Sequence, residues 1–212
     1  MNKKSSSSQF HFNKLAINLH PEVYEPAEDT FQILDTIKIS PGKKVFEPGT
    51  GCGIVALYCA YLGANVVCSD INPYAVELTK KNFLINKHLL GGNVDIRYGD
   101  LFSVLHSNEL FDVIIFNPPY LPTSDNERVG KTGWFDIAID GGRTGLEIIK
   151  RFIENVENYF TTTGKGYIII SSLIEKEKMR QIFSNSNLKY KIESKKRYDD
   201  EFLYAYCLRK KS

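Results

Sequence analysis

Short apolar runs alternate with amphipathic stretches along most of this chain, and glycine, proline or asparagine stands at most of the junctions. Strands and helices that follow one another in turn produce that pattern. A first amphipathic stretch predicts a helix over residues 27–37, with Pro26 near its first position. Residues 44–47 read as a short strand running into Pro48-Gly49-Thr50-Gly51-Cys52-Gly53, and an apolar helix follows over 54–62, ended by Gly63. A second strand is predicted over 65–69, closing on Asp70. Asn72 and Pro73 then serve as N-cap and first-turn proline for a helix to about His88. Residues 94–98 predict a third strand before Gly99-Asp100, and 111–116 a fourth before Asn117-Pro118-Pro119-Tyr120. After a long irregular loop, Thr144 and Glu147 stand at capping-box spacing and start a helix to about Tyr159. A fifth strand over 167–171, a helix over 174–183, and an antiparallel hairpin from 188–195 and 202–208 complete the reading.

Strands separated by helices imply an α/β fold, with a mainly parallel sheet covered on both faces. In such sheets ligands bind outside the carboxyl ends of the strands, where every motif below falls. Residues 10–212 are expected to form a single domain. Residues 1–9 are polar, carry the run Ser5-Ser6-Ser7-Ser8 and are expected to be disordered. A net charge of +2 argues against binding driven by a basic stripe. The four cysteines show no CxxC pair and no histidine at zinc-ligand spacing, so they are expected to be small buried hydrophobes, with no metal site. No apolar run is long enough for a signal peptide or a bilayer crossing, which points to a reducing, cytoplasmic setting.

The glycine turn allows a tight bend and lets a ligand approach the backbone closely. Taken alone it fits dinucleotide enzymes and methyltransferases alike. Asp70 lies at the distance past the turn where a carboxylate accepts hydrogen bonds from ribose hydroxyls. Asn72 is the better helix cap, which frees Asp70 for a ligand. Asp100 ends the third strand and would face the adenine end of the same ligand. With Glu47, three carboxylates would line one crevice and favour a cation. S-adenosylmethionine carries a sulfonium and an ammonium, whereas a dinucleotide brings a pyrophosphate that prefers a positive cradle.

Asn117-Pro118-Pro119-Tyr120 is the more specific motif. Prolines lack an N–H and restrict φ, so this turn is rigid. An amide or aniline nitrogen is a poor nucleophile because its lone pair is delocalised. The Asn117 side-chain oxygen and the Pro118 carbonyl can each accept one N–H of an NH₂ group, drawing the nitrogen toward tetrahedral geometry and stabilising its developing positive charge. Tyr120 can cover the planar group and align it for in-line transfer.

This corner resembles the signature of amino-methyltransferases acting on adenine, guanine or glutamine nitrogens. Within that group, Val23-Tyr24-Glu25-Pro26-Ala27-Glu28-Asp29-Thr30 resembles the head of the HemK-like release-factor glutamine methyltransferases. Residues 47–53, Asp70, Asp100-Leu101 and Asp140-Gly141-Gly142-Arg143-Thr144-Gly145 match its short archaeal and eukaryotic branch. The likeness runs from about His20 to Phe152. It implies a Rossmann-like class I methyltransferase fold, a seven-stranded, mainly parallel sheet with a C-terminal antiparallel hairpin. It implies S-adenosylmethionine contacted by Thr30, Glu47, Gly49, Asp70, Asp100, Leu101 and Asn117, with Gly51 and Gly53 completing the turn. The acceptor implied is N5 of the glutamine in a Gly-Gly-Gln loop of a translation termination factor, held by Asn117, Pro118 and Tyr120 with Pro119 between them. A small zinc-binding activator protein is implied as a partner. The stretch before Lys44 is too short for the helical substrate domain of the bacterial branch, in keeping with the short form. One segment departs from the family pattern: 121–139, with Trp134 and Phe135, is long, and is expected to form a lid or substrate wall.

Three other readings share some of these features. A methyltransferase for adenine or guanine in RNA or DNA would use the same corner, but no target-recognition domain is visible. The basic clusters 195–197 and 209–211 read as solvated surface. Protein lysine methylation fits less well, because an ammonium must first lose a proton and no base is offered. A catalytically silent subunit would be expected to lack Asp70 or Asn117, and both are present.

Overall fold

The computed structural model describes residues 8–123 and 133–211. The expected disorder at the N-terminus concerns residues of which 1–7 lie outside the described set. Two short strands, β1 (Gln9–Phe12) and β2 (Leu15–Asn18), pair antiparallel through a turn at Asn13, which has φ 53°. The sequence reading missed this hairpin. Helix α1 covers Glu28–Thr36, with Ala27 at the N-cap, so Pro26 stands outside the helix.

Next come β3 (Lys44–Pro48), α2 (Ile54–Tyr61), β4 (Asn65–Asp70), α3 (Pro73–Asn86), β5 (Val94–Tyr98) and β6 (Phe111–Phe116), each within a residue or two of its expected bounds. Asn72 caps α3 as expected, its side chain accepting the Tyr74 N–H at 2.9 Å. A 3-10 helix over Leu101–Val104 follows β5.

Four readings need correction. Helix α4 (Trp134–Ile139) lies inside the stretch read as irregular. Helix α5 (Glu147–Asn155) starts later than a capping box at Thr144 requires, with Leu146 at the N-cap. Half of the box forms, since the Glu147 carboxylate accepts the Thr144 N–H at 3.4 Å, but the Thr144 hydroxyl donates to that carboxylate at 3.3 Å and the Glu147 N–H goes to the Gly141 carbonyl. Strand β7 (Phe160–Ser171) begins well before Tyr167, because the β-branched run Thr161-Thr162-Thr163 extends it. Helix α6 (Lys176–Ser184) begins two residues late. The terminal hairpin, β8 (Leu188–Tyr198) with β9 (Glu201–Lys210), forms as expected.

Among the described residues, seven strands make one sheet in the order β5-β4-β3-β6-β7-β9-β8. The first five are parallel, and β9 and β8 are antiparallel to their neighbours. Alternation along the strands feeds two cores. Val45, Val113 and Ile115 pack into one, with β2, α1 and α2. Phe46, Ile114 and Phe116 pack into the other, with α5 and α6. Both faces of β3 and β6 are therefore buried, which explains why Val45-Phe46 and 113–116 are apolar in succession rather than in alternation. All four cysteines are buried as free thiols. No helix among the described residues is long and apolar enough to cross a membrane. From β3 the chain winds outward to β4 and β5, then returns to β6 on the other side. The switch point lies between the carboxyl ends of β3 and β6, where a crevice opens.

Candidate active site

A cavity of about 250 Å³ sits at that switch point. Of the expected cofactor residues, Thr30, Glu47, Gly49, Gly51, Asp70, Asp100, Leu101 and Asn117 all line it. Gly53 does not line it. It is the N-cap of α2 at φ 84°, and a Cβ on it would come within 2.7 Å of Thr79 Cγ2. Gly53 thus permits close packing of the turn on α3. Gly49, at φ 68°, turns the chain out of β3 in a conformation L residues rarely adopt.

The turn is pinned from β4. Thr50 N–H donates to the Ser69 carbonyl at 2.9 Å, and Gly51 N–H donates to Asp70 Oδ2 at 2.9 Å. Asp70 Oδ1 accepts the Asn72 N–H at 2.9 Å. Asp70 is therefore not simply free for a ligand, as its sequence context suggested. Both oxygens carry a backbone contact, and each keeps a remaining lone pair. Burial raises its pKa, while those backbone N–H groups pull the other way.

Glu47 is 5% exposed, and burial pushes its carboxyl up to about 8 even though the Thr50 hydroxyl donates to it at 2.7 Å. A carboxyl that gives up its charge for want of a partner suits a cationic ligand. Asp100 departs from the expected trio of available charges. Its carboxylate pairs with Arg151 at 2.5 Å, both side chains being about half-exposed, which offsets its charge. Leu101 adopts φ 44°, a strained conformation for a leucine that turns the chain from Asp100 into the 3-10 helix along the cavity wall.

The proline corner divides this space. A second cavity of about 70 Å³ is lined by Tyr24, Asp29, Asn117–Leu121, Ala138 and Ile139. Asn117 and Pro119 border both cavities, whereas Pro118 and Tyr120 border only the second. Asn117 Oδ1 is buried and has no hydrogen-bond partner among the described residues. Such an oxygen costs about 1–3 kcal/mol unless a donor arrives.

Other features of the site escaped sequence reasoning. Gly141 backs the corner, since a Cβ there would lie 2.9 Å from the Tyr120 backbone, and its N–H donates to the Leu121 carbonyl at 3.0 Å. Gly141 and Gly145 are thus required by close approach to the corner, a long-range contact with no local signal, whereas Gly142 makes room for the Glu147 side chain. The Tyr24 hydroxyl donates to buried Asp29 at 3.2 Å. Trp134 and Ile137 of α4 wall the larger cavity, and Glu22 accepts the Trp134 N–H at 2.9 Å. The rest of the expected lid, 124–132, lies outside the described residues.

The cavity's donor set fits S-adenosylmethionine: a desolvated carboxyl for an ammonium, a second carboxylate one strand over, and a glycine turn open to close approach. Residues 28–132 match the family described as Methyltransferase small domain. A Methanocaldococcus jannaschii protein, provisionally named a protein N5-glutamine methyltransferase, is 43% identical over 172 residues, spanning 79% of this chain and 82% of that one. Human methyltransferase HEMK2 is 32% identical over 176 residues, spanning 79% and 80%. The solved structure of the E. cuniculi Mtq2–Trm112 complex, described as responsible for methylating the eRF1 translation termination factor, superposes with TM-score 0.67 at 24% identity. The match covers 90% of this chain and 99% of that one, and shows a common fold. The sheet order, the cavity at its switch point and these relatives together make this chain a member of the HemK-like protein N5-glutamine methyltransferase family, an S-adenosylmethionine-dependent enzyme of the short archaeal and eukaryotic branch.

Proposed function

We propose that the chain methylates the side-chain amide nitrogen of the glutamine in the Gly-Gly-Gln loop of a translation termination factor. The orphaned, buried Asn117 Oδ1 at the junction of the two cavities carries this reading. It needs an N–H donor, and it borders both the chamber suited to the cofactor and the chamber suited to an acceptor. Bound S-adenosylmethionine would supply a methyl group on a sulfonium. Asn117 Oδ1 and the Pro118 carbonyl each take one N–H of the amide, which holds the lone pair toward the larger cavity and stabilises the charge that develops on nitrogen. The prolines keep both oxygens in place as that charge grows, so little reorganisation accompanies the reaction.

Tyr120 closes the second chamber over the planar amide. Burial and the neighbouring Asp29 push its phenol above its ordinary pKa, so it acts as a neutral wall and not as a base. No base is needed before transfer, because the amide proton becomes acidic only once the nitrogen is alkylated. Thr30, Glu47, Gly49, Gly51, Asp70 and Leu101 are the cofactor contacts in this reading, with Asp100 acting as half of a pair with Arg151. A small zinc-binding activator would seat on exposed apolar side chains beside edge strand β5, where Ile71, Tyr74 and Tyr98 stand free of the core. Four buried free thiols accord with a cytoplasmic setting.

Mass spectrometry of termination factors incubated with the chain, its activator and labelled cofactor tests the reading. A single added methyl on the Gly-Gly-Gln glutamine is expected. Label in RNA or on lysine, with that glutamine unmodified, would reject it.

A further inference from the structure

The N-terminal hairpin lines neither cavity and forms a sheet apart from the seven-stranded one, yet it is bolted to the cofactor turn. Leu15 and Ile17 point one side of β2 into the core, both fully buried. The opposite edge of β2 has no neighbouring strand among the described residues. Asparagines of α3, one helical turn apart, take that place. Asn86 Oδ1 accepts the Ala16 N–H at 2.9 Å and its Nδ2 donates to the Ala16 carbonyl at 2.7 Å. Asn82 Oδ1 accepts the Asn18 N–H at 2.9 Å and its Nδ2 donates to the Asn18 carbonyl at 3.1 Å. The match is geometric. Two residues of strand advance roughly 6.7 Å and four residues of helix roughly 6 Å, so side chains at i and i+4 meet alternate peptides of a strand.

Asn82 does more than dock the hairpin. It is fully buried, accepts a second hydrogen bond from Asn18 Nδ2 at 2.9 Å, and donates its other N–H to the Cys52 carbonyl at 2.8 Å. Both donors and both lone pairs of its amide are then used. One turn earlier, the buried Thr79 hydroxyl donates to the Gly51 carbonyl at 3.0 Å. The glycine turn is therefore held from both sides, by Asp70 on the Gly51 N–H and by Thr79 and Asn82 on the Gly51 and Cys52 carbonyls.

We propose that Asn82 and Thr79 are positioning residues for the cofactor turn, and that they set the affinity for S-adenosylmethionine without touching it. Holding the two carbonyls fixes the peptides on either side of Cys52. That keeps the Gly51 N–H on Asp70 and keeps the backbone from folding into the cavity. The inference rests on the cofactor cavity and is independent of which nitrogen is methylated.

Calorimetric titration of full-length variants with S-adenosylmethionine, alongside thermal melts, tests it. Asn86→Ala is the control, because Asn86 docks the hairpin without reaching the turn. Asn82→Ala should raise the cofactor Kd about tenfold, and Asn86→Ala by less than about twofold at a comparable drop in Tm. Should Asn82→Ala not fold, Thr79→Val removes only the Gly51 contact in a nearly isosteric side chain. It should raise Kd about fivefold, with Thr79→Ser restoring the wild-type value. Unchanged Kd in folded Thr79→Val, or equal Kd losses in the Asn82 and Asn86 variants, overturns the proposal. Because only cofactor binding is read, failure of the glutamine assignment leaves this result standing.

Discussion

Two loops leave adjacent strands of the sheet and meet at one crevice, yet they are built by opposite means. The glycine turn after β3 has a backbone free to take many shapes, and outside partners choose one: Ser69 and Asp70 on its N–H groups, Thr79 and Asn82 on its carbonyls. The proline corner after β6 is stiffened by its own rings and backed by Gly141, and it leaves one buried oxygen, Asn117 Oδ1, without a donor among the described residues. Where the polar groups are satisfied, the structure is a preformed mould for a ligand. Where one group is left wanting, it can reward a partner only as that partner arrives. Binding belongs to the first kind of loop and chemistry to the second, so damage to each should show in different constants.

Asn117→Ala should separate them most widely. Removing the oxygen that stabilises the developing charge should lower turnover about 10²- to 10³-fold, with cofactor Kd nearly unchanged. Among the described residues no hydrogen bond of Asn117 Oδ1 is lost, so the melting temperature should hold. A large rise in Kd with turnover intact would reverse the roles of the two loops.

Asp70→Asn should do the converse. It weakens two hydrogen bonds that a carboxylate makes with backbone N–H groups and removes a charge from the cavity. Cofactor Kd should rise about 10- to 100-fold, with turnover at saturating cofactor much less affected. Equal losses in both constants would mean that the turn and the corner act as one unit.

How much of this contrast the sequence displayed depended on whether the cause was local. Strands β3 to β6 were legible because each apolar run ends at a residue that cannot continue it, such as Gly49, Asp70, Gly99 or Pro118. The cap at Asn72 was legible for the same reason. The β1–β2 hairpin was not, since its strands are four residues long, its turn at Asn13 holds no glycine, and its missing neighbour is a pair of asparagines 64 and 70 positions away. The packing role of Gly53 was hidden, because a glycine needed for packing on Thr79 looks the same in sequence as one needed for a ligand. Arg151, which offsets Asp100 from α5, 51 positions away, carried no signal near Asp100 at all.

Glu47 sharpens the comparison through pH. With no cation beside it, its carboxyl holds its proton up to about 8, well above the unfolded value of 4.5. Between those values the folded state binds more protons than the unfolded one. Stability of the ligand-free protein should therefore fall as pH rises across that window. A bound cation favours the ionised form, so binding should release a proton at neutral pH, and affinity should improve by up to about tenfold per unit between about pH 6 and pH 7.5. Calorimetry in buffers of different ionisation enthalpy would detect the proton. Glu47→Gln should abolish the release and flatten the profile. A wild-type profile already flat in that range would mean that Glu47 lies out of reach of the cofactor's charge.

The smallest effect is expected at Asp100, and it decides whether this carboxylate belongs with Asp70. A half-exposed pair such as Asp100–Arg151 is screened by water and salt. Its coupling should be at most about 1 kcal/mol, or roughly fivefold in any constant that depends on it. A double-mutant cycle with Asp100→Asn and Arg151→Gln, read as cofactor Kd at low and high salt, isolates that coupling. A small value that shrinks with salt would leave Asp100 as a rim residue whose charge Arg151 moderates. A coupling of several kcal/mol, insensitive to salt, would place the pair in contact with bound cofactor and shielded from solvent. The mould would then extend from the glycine turn past β4 to the end of β5.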